Sequence, residues 1–247
     1  MKPKPSSPPS KPITNQRSVP YNPGLKNLVD EKQAWSGAIS SSAKEQGFQG
    51  WHQRGYLPHR DKPGLTQFVT LRLHDSMPVK RRAEWESLLK IEDNRERRKQ
   101  FESYLDRGLG ECWLKGPTIA ALAEKALRFF DGQRYQLHAW VIMPNHIHVL
   151  SHIQHVPLSK LLQSWKRFIA REANKLLGRE GIFWEREYWD TYMRDESQAA
   201  KALKYIENNP VKANLVREAK DWPWGSARFR NHYGALVLPP DNRPADL

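Results

Sequence analysis

Met143-Pro144-Asn145-His146-Ile147-His148-Val149-Leu150 follows directly on the apolar run Trp140-Val141-Ile142. In an extended segment successive side chains point to opposite faces, so His146 and His148 share one face while Ile147 and Val149 point into a core. Two neutral imidazoles at this spacing can bind one divalent cation. Taken alone, however, a His-x-His pair in a strand is more often a pair of structural histidines. A metal site therefore requires a third ligand from elsewhere in the chain.

The composition is that of a basic globular protein. At 247 residues the chain can bury one good core, and its length suggests one domain, two at most. Hydrophobic residues make up 38% of the positions, which indicates a globular protein and not a disordered one. Forty Lys and Arg against 27 Asp and Glu give a formal net charge of +13, which favours a polyanionic partner such as nucleic acid. The single cysteine, Cys112, excludes an internal disulfide framework and a cysteine-rich zinc site.

The sequence shows no targeting or membrane segment. No apolar run approaches the length of a membrane span, and the first residues lack the apolar core of a signal peptide. These features predict a protein of the cytoplasm that has no contact with membranes. The basic charge predicts that it associates with the nucleoid.

Changes in composition along the chain predict three regions. Residues 1–45 are predicted to be a largely disordered basic tail rich in Pro and Ser, and irregular structure is expected over 23–64. Residues 46–232 are predicted to form the folded domain, and residues 233–247 a C-terminal tail. Within the domain, a highly charged helical excursion is expected over 78–110.

Hydrophobic periodicity predicts a mixed fold with an antiparallel sheet. The predicted elements are, in chain order, the strand Gln67–His74, the helix Pro117–Phe130, the strands Tyr135–Ile142 and Asn145–Ile153, and the helices Leu158–Leu177 and Ser197–Asn209. Pro210 is expected to stop the last helix. This order is typical of an α+β fold of ferredoxin-like or RRM-like type, with helices packed on one face and a tyrosine-bearing helix near the C-terminus.

A row of basic side chains is predicted along the helix Leu158–Leu177, on the side away from its apolar stripe. The row consists of Lys160, Arg167, Arg171 and Lys175, spaced seven, four and four residues apart. Such a row can follow a phosphate backbone, so these residues are candidate DNA contacts. A solvated helix face is the usual alternative explanation.

The helix before Pro210 supplies a candidate third ligand and a candidate nucleophile. Tyr205 and Asn209 are four residues apart and therefore lie on the same helical face. If this face packs beside the histidine strand, the Asn209 carbonyl oxygen could complete a metal site next to the Tyr205 hydroxyl. A metal there would polarise a phosphodiester, and the tyrosine could attack it to form a covalent phosphotyrosine.

Several motifs in the chain resemble those of a known family of DNA-processing enzymes. Pro144-Asn145-His146-Ile147-His148-Val149 resembles the metal motif of the HUH endonuclease superfamily. The stretch from Tyr205 to Ala213 resembles the tyrosine helix of the REP-associated tyrosine transposases, relatives of single-tyrosine insertion-sequence transposases. The segment from Phe183 to Tyr192 and the motif Asp221-Trp222-Pro223-Trp224-Gly225-Ser226 are also similar to that family. The resemblance extends over about Gln67–Arg230.

The resemblance implies a set of roles for these residues. It implies that His146, His148 and Asn209 bind Mg²⁺ or Mn²⁺, although related transposases have glutamine at the position of Asn209. Tyr205 would be the nucleophile that becomes linked to a 5′ phosphate of single-stranded DNA, leaving a free 3′ hydroxyl. The substrate would be a repetitive extragenic palindrome folded as a hairpin, and the enzyme would act as a monomer or a homodimer.

Two other functions remain open at this point. One is a non-catalytic module that binds single-stranded nucleic acid on an RRM-like sheet, with structural histidines and aromatic side chains that stack on bases. The other is a nickase of the replication-initiator or relaxase type, which shares the chemistry. The sheet distinguishes the first alternative, because an RNA-binding sheet needs exposed aromatic side chains on its central strands.

Overall fold

The computed structural model of the protein describes residues 39–53, 58–91 and 93–239. Residues 1–38 of the predicted tail 1–45, and residues 240–247 of the predicted tail 233–247, lie outside this range. Within it, none of the helices is long and apolar enough to cross a membrane. The helices and strands are, in chain order, α1 (Ser41–Glu45), β1 (Gly50–Gln53), β2 (Pro58–Asp61), β3 (Thr66–Arg72), α2 (Arg82–Leu89), α3 (Asn94–Leu105), α4 (Pro117–Arg128), β4 (Tyr135–Ile142), β5 (His146–Ile153), α5 (Leu158–Leu176), β6 (Trp189–Tyr192) and α6 (Glu196–Lys212).

The main sheet has four strands in the order β4-β5-β3-β6, and each neighbouring pair is antiparallel. Two strand–helix–strand units are interleaved in this order, which is the ferredoxin-like arrangement. The predicted α+β class is therefore confirmed. The turn between β4 and β5 is tight, as predicted, with the Met143 amide donating to the His146 carbonyl at 2.8 Å.

The two faces of the sheet are covered by different helices. Ile147 and Val149 on β5 pack with the apolar sides of α4 and α5, because those side chains alternate toward that face. On the opposite face, Phe68 and Leu150 pack against Ile206 of α6. Strand β5 has neighbours at both edges and helices over both faces, so all of its residues are buried.

Helix α6 continues past the proline that was expected to stop it. The prediction that the helix ends at Asn209 is wrong, since α6 includes Pro210 and ends at Lys212. Proline removes only its own amide donor, and only a short final turn follows it. The bonds beyond it remain, with the Ala213 amide donating to the Asn209 carbonyl and the Leu215 amide to the Pro210 carbonyl, both at 2.9 Å.

A C-terminal motif fixes α6 to the sheet. The Ile142 amide donates to the Trp224 carbonyl at 2.8 Å, and the Trp222 indole donates to the Ile142 carbonyl at 3.0 Å. Glu207 of α6 accepts hydrogen bonds from the Ser226 hydroxyl at 2.6 Å and from Arg230 at 2.8 Å. The edge of β4, this motif and α6 therefore form one bonded unit that determines where α6 lies.

The folded domain is longer at both ends than its composition suggested. Ala43 of α1 is buried and β1 pairs with β2, although irregular structure was expected over 23–64. Short polar strands show little hydrophobic alternation, and this pair is held by tertiary contacts such as the one between His59 and Asp190 of β6. At the other end the Val237 amide donates to the Phe229 carbonyl at 2.9 Å, so residues placed in the tail belong to the fold.

The charged excursion is helical, as predicted, but it is divided into α2 and α3. The Asp93 carboxylate caps α3 by accepting from the Glu96 amide at 2.6 Å. Phe101 and Leu105 of α3 are buried, and the Phe101 ring stacks on Trp189 at 4.6 Å. The excursion is therefore packed against β6, beside the face of the sheet that carries the histidines.

Candidate active site

The two histidines of the His-x-His motif lie side by side in the middle of the sheet. They are on β5, opposite Arg72 and Thr70 of β3, and both side chains are buried. Their ring centroids are 4.6 Å apart. The predicted alternation is confirmed, because the residues between and after them point into the core on the other face.

Hydrogen bonds determine which nitrogen of each histidine is free. The Nδ1 of His146 lies 2.7 Å from the side-chain oxygen Oδ1 of Asn145, while the side-chain Nδ2 of Asn145 donates to the Leu109 carbonyl at 3.0 Å. Nδ1 of His148 lies 2.9 Å from the Thr70 hydroxyl. The Asn145 oxygen can only accept, which assigns the proton of His146 to Nδ1. The Thr70 hydroxyl can donate or accept, so it is compatible with the same tautomer of His148. In that tautomer each Nε2 has a lone pair, and both Nε2 atoms are buried without a hydrogen-bond partner.

Both rings are in the neutral form that metal ligation needs. Burial lowers the pKa of His146 to about 3, with Lys212 contributing further. Burial also lowers the pKa of His148 well below its usual value, with the neighbouring His146, Arg98 and Lys212 adding to the effect. At neutral pH each ring is therefore uncharged and has one nitrogen with a lone pair that can bind a metal.

Helix α6 brings Tyr205 and Asn209 to the same place, as their spacing predicted. The Asn209 side-chain amide donates to the Tyr205 hydroxyl at 3.3 Å, and the Tyr205 ring lies 5.6 Å from the His148 ring. Asn209 is fully buried, and its side-chain oxygen Oδ1 has no hydrogen-bond partner. In addition to the two histidine Nε2 atoms, a third buried acceptor without a hydrogen-bond partner thus lies next to Tyr205.

The Tyr205 hydroxyl is protonated in this environment. Burial raises its pKa far above the usual value, and the nearby carboxylates of Glu102 and Asp106 raise it further. Arg98 acts in the opposite direction. Since the phenol does not ionise by itself, any reaction at its oxygen needs a group that takes the proton.

The residues near Tyr205 include a set that the sequence did not reveal. Glu102, Asp106 and Arg98 come from α3 and the residue after it, within the charged excursion. In sequence, Arg98 and Glu102 look like one of the many charged pairs of a solvated helix face, because they are four residues apart. The packing of Phe101 against Trp189 and the hydrogen bond from Arg98 to Thr191 fix the orientation of this side of α3, and neither contact can be predicted from local sequence spacing.

The donor set fits a divalent cation. Buried polar atoms without partners are unusual, and here three of them are acceptors on His146, His148 and Asn209. No group of three His, Cys, Asp or Glu suited to a metal occurs in the part of the chain that the structure describes, so the third ligand would be the amide oxygen. Two imidazoles and an amide oxygen suit a cation that prefers nitrogen and oxygen ligands.

The predicted basic row lies away from this site. Its residues are on α5, which packs on the opposite face of the sheet from the histidines. Lys160 and Arg167 line a groove between α5 and residues 181–188, together with Trp184 and Arg186. Arg171 pairs with Glu172 at 2.6 Å, and Lys175 is exposed. The structure therefore separates these candidate DNA contacts from Tyr205.

A comparison with family models gives one match. Residues 111–209 match the family described as Transposase IS200 like, and this stretch contains both histidines, Tyr205 and Asn209. The predicted resemblance is confirmed. Helices α2 and α3, with Arg98 and Glu102, lie before the stretch that matches the IS200-like transposases.

Two proteins described as REP-associated tyrosine transposases are similar to part of the chain. A REP-associated tyrosine transposase from Haemophilus influenzae is 32% identical over 111 residues, which is 40% of this chain and 62% of that protein. The REP-associated tyrosine transposase of Escherichia coli is 25% identical over 92 residues, or 37% of this chain and 54% of that protein. The chain thus matches less than two thirds of the length of either transposase.

A solved structure is also similar to the chain. It is described as the REP-associated tyrosine transposase bound to a REP hairpin, and it aligns over 79% of this chain and 94% of its own. The sequence identity is 16% and the TM-score is 0.46. With so low a TM-score, the match to this transposase has no weight in assigning the site.

Proposed function

We propose that the protein is a metal-dependent endonuclease and strand transferase for single-stranded DNA, with Tyr205 as the nucleophile. One observation carries the proposal. Three residues, His146, His148 and Asn209, each have a buried side-chain acceptor atom without a partner. Tyr205 contacts two of them, through the hydrogen bond from Asn209 and through its ring beside His148. If these residues were purely structural, each unsatisfied atom would destabilise the fold by about 1–3 kcal/mol. A bound cation would be coordinated by all three atoms.

The cation would be Mg²⁺ or Mn²⁺, bound by His146 Nε2, His148 Nε2 and the Asn209 carbonyl oxygen. When bound, it supplies charge that polarises the scissile phosphodiester. The protein fixes the ligands before binding. Asn145 and Thr70 hold the two rings in place through their Nδ1 atoms. The hydrogen bond to Tyr205 turns the Asn209 amide nitrogen toward the hydroxyl and its side-chain oxygen away from it.

Tyr205 would attack the phosphorus and retain the 5′ phosphate as a phosphotyrosine, leaving a free 3′ hydroxyl on the other DNA end. The covalent bond keeps the strand attached to the enzyme, so a second DNA end can be joined to it. Tyr205 packs against His148 of its own chain. This arrangement supports cleavage within one subunit, whether the protein is a monomer or a homodimer.

The proposed substrate is a DNA hairpin with a single-stranded flank, such as a repetitive extragenic palindrome. Two features support it. The net charge of +13 favours a polyanion, and the relatives are named for their association with such repeats. The basic row Lys160, Arg167, Arg171 and Lys175 would contact phosphates at a distance from the reaction centre.

The alternative of a non-catalytic RRM-like module has less support. Such a module stacks bases on exposed aromatic side chains of its central strands. Here α6 covers the corresponding face, and Phe68 on β3 is buried beneath Tyr205 and next to His148. A nickase of the replication-initiator type shares the site chemistry, and the same experiment would detect it.

The function is tested by incubating the protein with a labelled hairpin that has a single-stranded flank, with Mn²⁺ or with EDTA, and separating the products under denaturing conditions. We expect a protein–DNA adduct with Mn²⁺ that is absent with EDTA. Tyr205→Phe should bind the hairpin with unchanged affinity and form no adduct. An adduct in the Phe variant would show that another residue is the nucleophile.

A further inference from the structure

The β1–β2 hairpin and β6 together form a surface of interleaved rings and cations, which we call the aromatic platform (Trp51, Arg60, Tyr192 and Arg194). The Arg60 guanidinium lies over two rings, 5.4 Å from the centre of Trp51 and 4.7 Å from that of Tyr192. The two rings meet edge to face at 6.0 Å, and the Arg194 guanidinium lies 5.7 Å from the Tyr192 ring. The four side chains are therefore one contiguous cluster.

The Trp51 indole of this cluster is both exposed and held in place. Among the tryptophans that the structure describes, Trp51 alone is exposed, with 62% of its surface in solvent. Arg60 is directly opposite Trp51 in the hairpin, is 6% exposed and packs on the indole. A cation and a second ring thus fix the orientation of the indole. An isolated surface tryptophan would lack such support.

The exposed charge at the platform is positive, because the acidic side chains of the three strands are turned inward. Asp61 is buried and accepts from the first amide of α5 at 3.1 Å. The Asp190 side chain is 3% exposed and is hydrogen-bonded to His59. Burial, and after it the charge of Arg60, lowers the pKa of Lys62, so a further cation lies close by. The platform therefore favours an anionic ligand.

The position of the platform connects it with the surfaces already described. Gln49, two residues before Trp51, lines the groove between α5 and residues 181–188 that also contains Arg167. On the opposite face of β6 from Tyr192, Thr191 accepts a hydrogen bond from Arg98 at 2.7 Å, beside the candidate active site. The platform is thus next to the basic groove and is separated from the active-site face by the edge strand β6.

Unpaired nucleotides have the two properties that this surface would recognise. A base offers a flat face that stacks on an indole, and its phosphate is attracted by nearby cations. In a duplex the bases are stacked on one another, so only a single-stranded segment can offer a base to a protein ring.

We propose that the aromatic platform binds unpaired nucleotides of the single-stranded DNA flank, with a base stacked on Trp51 and the backbone beside Arg194 and Lys62. Arg60 and Tyr192 position the indole. The inference rests on the proposed function, which makes DNA the ligand. Trp51 and Arg60 precede residues 111–209, so this binding site would extend beyond the stretch that matches the IS200-like transposases.

The test compares the affinities for a hairpin with an unpaired thymidine flank and for the same hairpin without a flank. Binding is measured in EDTA with wild type, Trp51→Ala, Trp51→Phe and Tyr233→Ala. The matched control is Tyr233→Ala, which removes an aromatic ring that is 71% exposed. Tyr233 lies near the other edge of the sheet, where Arg230 is bonded to the His138 carbonyl of β4.

We expect Trp51→Ala to weaken binding of the flanked hairpin about fivefold or more, which is the loss expected for one stacking ring. Its affinity for the hairpin without a flank should equal that of wild type. Trp51→Phe should retain most of the affinity for the flanked hairpin, and Tyr233→Ala should bind both hairpins like wild type. Equal affinities of Trp51→Ala and wild type for the flanked hairpin would overturn the inference. An equal loss for both hairpins would also overturn it, because it would indicate a structural role.

The binding test and the proposed function can fail separately, because binding is measured without metal. A flank-specific loss in Trp51→Ala would support the platform even if wild type formed no adduct with Mn²⁺, a result that would reject only the proposed function. An adduct in wild type, together with undiminished flank binding in Trp51→Ala, would reject only the platform.

Discussion

The side-chain amide of Asn209 donates to the hydroxyl of Tyr205 at 3.3 Å, one turn earlier on the same helix. Because of this hydrogen bond, the side-chain nitrogen and the side-chain oxygen of Asn209 have different roles. Its nitrogen holds the nucleophile, and its buried oxygen remains free to bind a cation. The same residue would therefore set the position of the tyrosine relative to the metal.

Asn209→Ala should weaken metal binding. The variant removes one of three proposed ligands, so we expect the affinity for Mn²⁺ to fall at least about tenfold, since even loss of a supporting contact to a ligand costs 10–100-fold. The affinity is measured by isothermal titration calorimetry on the free protein. Tyr205→Phe is the control and should bind Mn²⁺ like wild type. Equal Mn²⁺ affinity in the Ala variant and wild type would exclude Asn209 as a ligand.

Arg167→Gln should weaken DNA binding through the loss of a phosphate contact. We expect lower hairpin affinity, and a plot of log K against log salt whose slope is smaller in magnitude by about 0.7–0.9. Lys220→Gln removes the same charge from an exposed residue that pairs with Glu218, and should leave the slope unchanged. Identical slopes for both variants and wild type would show that Arg167 does not contact DNA phosphates and that this face of α5 is only solvated.

Phe101→Ala should destabilise the whole domain. The ring is 1% exposed, stacks on Trp189 and lies 5.2 Å from Trp85, so its removal leaves a cavity between the excursion and β6. We expect a loss of about 3–5 kcal/mol in the free energy of unfolding, measured by urea denaturation. Trp85→Phe, at a partly exposed position, should cost less. A separate, earlier transition for the excursion would contradict its integration into the domain.

His138 should make the stability depend on pH. Burial, followed by the charges of His152 and Arg230, lowers the pKa of His138 to about 3, against about 6.5 in an unfolded chain. Between these values the unfolded state binds the extra proton, so the contribution is complete above pH 6.5 and is lost as the pH falls toward 3.

The check is the free energy of unfolding at pH 7 and pH 5 for wild type and His138→Gln. At about 1.4 kcal/mol per pH unit below 6.5, wild type should lose about 2 kcal/mol more than the variant over this interval. Parallel losses in the two proteins would show that His138 is protonated in the folded state as easily as in the unfolded one.

The sequence predicted those parts of the site that depend on local geometry. Strand alternation placed His146 and His148 on one face, and helical spacing placed Tyr205 and Asn209 together. The sequence did not reveal Glu102, because its relation to Tyr205 depends on how two distant segments pack. A charged pair four residues apart has the same pattern whether it faces solvent or an active site.

The same limit explains the errors in the fold. The hairpin of β1 and β2 has no apolar alternation of its own and is held by contacts with β6. The sequence predicts that α6 ends before Pro210, but the helix ends at Lys212. The prediction considers only the hydrogen bond that proline removes. It does not include the contacts of the segment from Asp221 to Ser226, which hold the helix on the sheet. Local sequence patterns therefore predict which helices and strands form, whereas tertiary contacts determine where they end.

The central claim is that Tyr205 forms a covalent bond to a 5′ phosphate of DNA. The most direct test is mass spectrometry of the proteolysed protein after reaction with a single-stranded hairpin substrate and Mn²⁺. The account predicts a nucleotide attached to the peptide that contains Tyr205, together with a released DNA fragment that ends in a 3′ hydroxyl. An adduct on any other residue, or tight hairpin binding without an adduct, would contradict it.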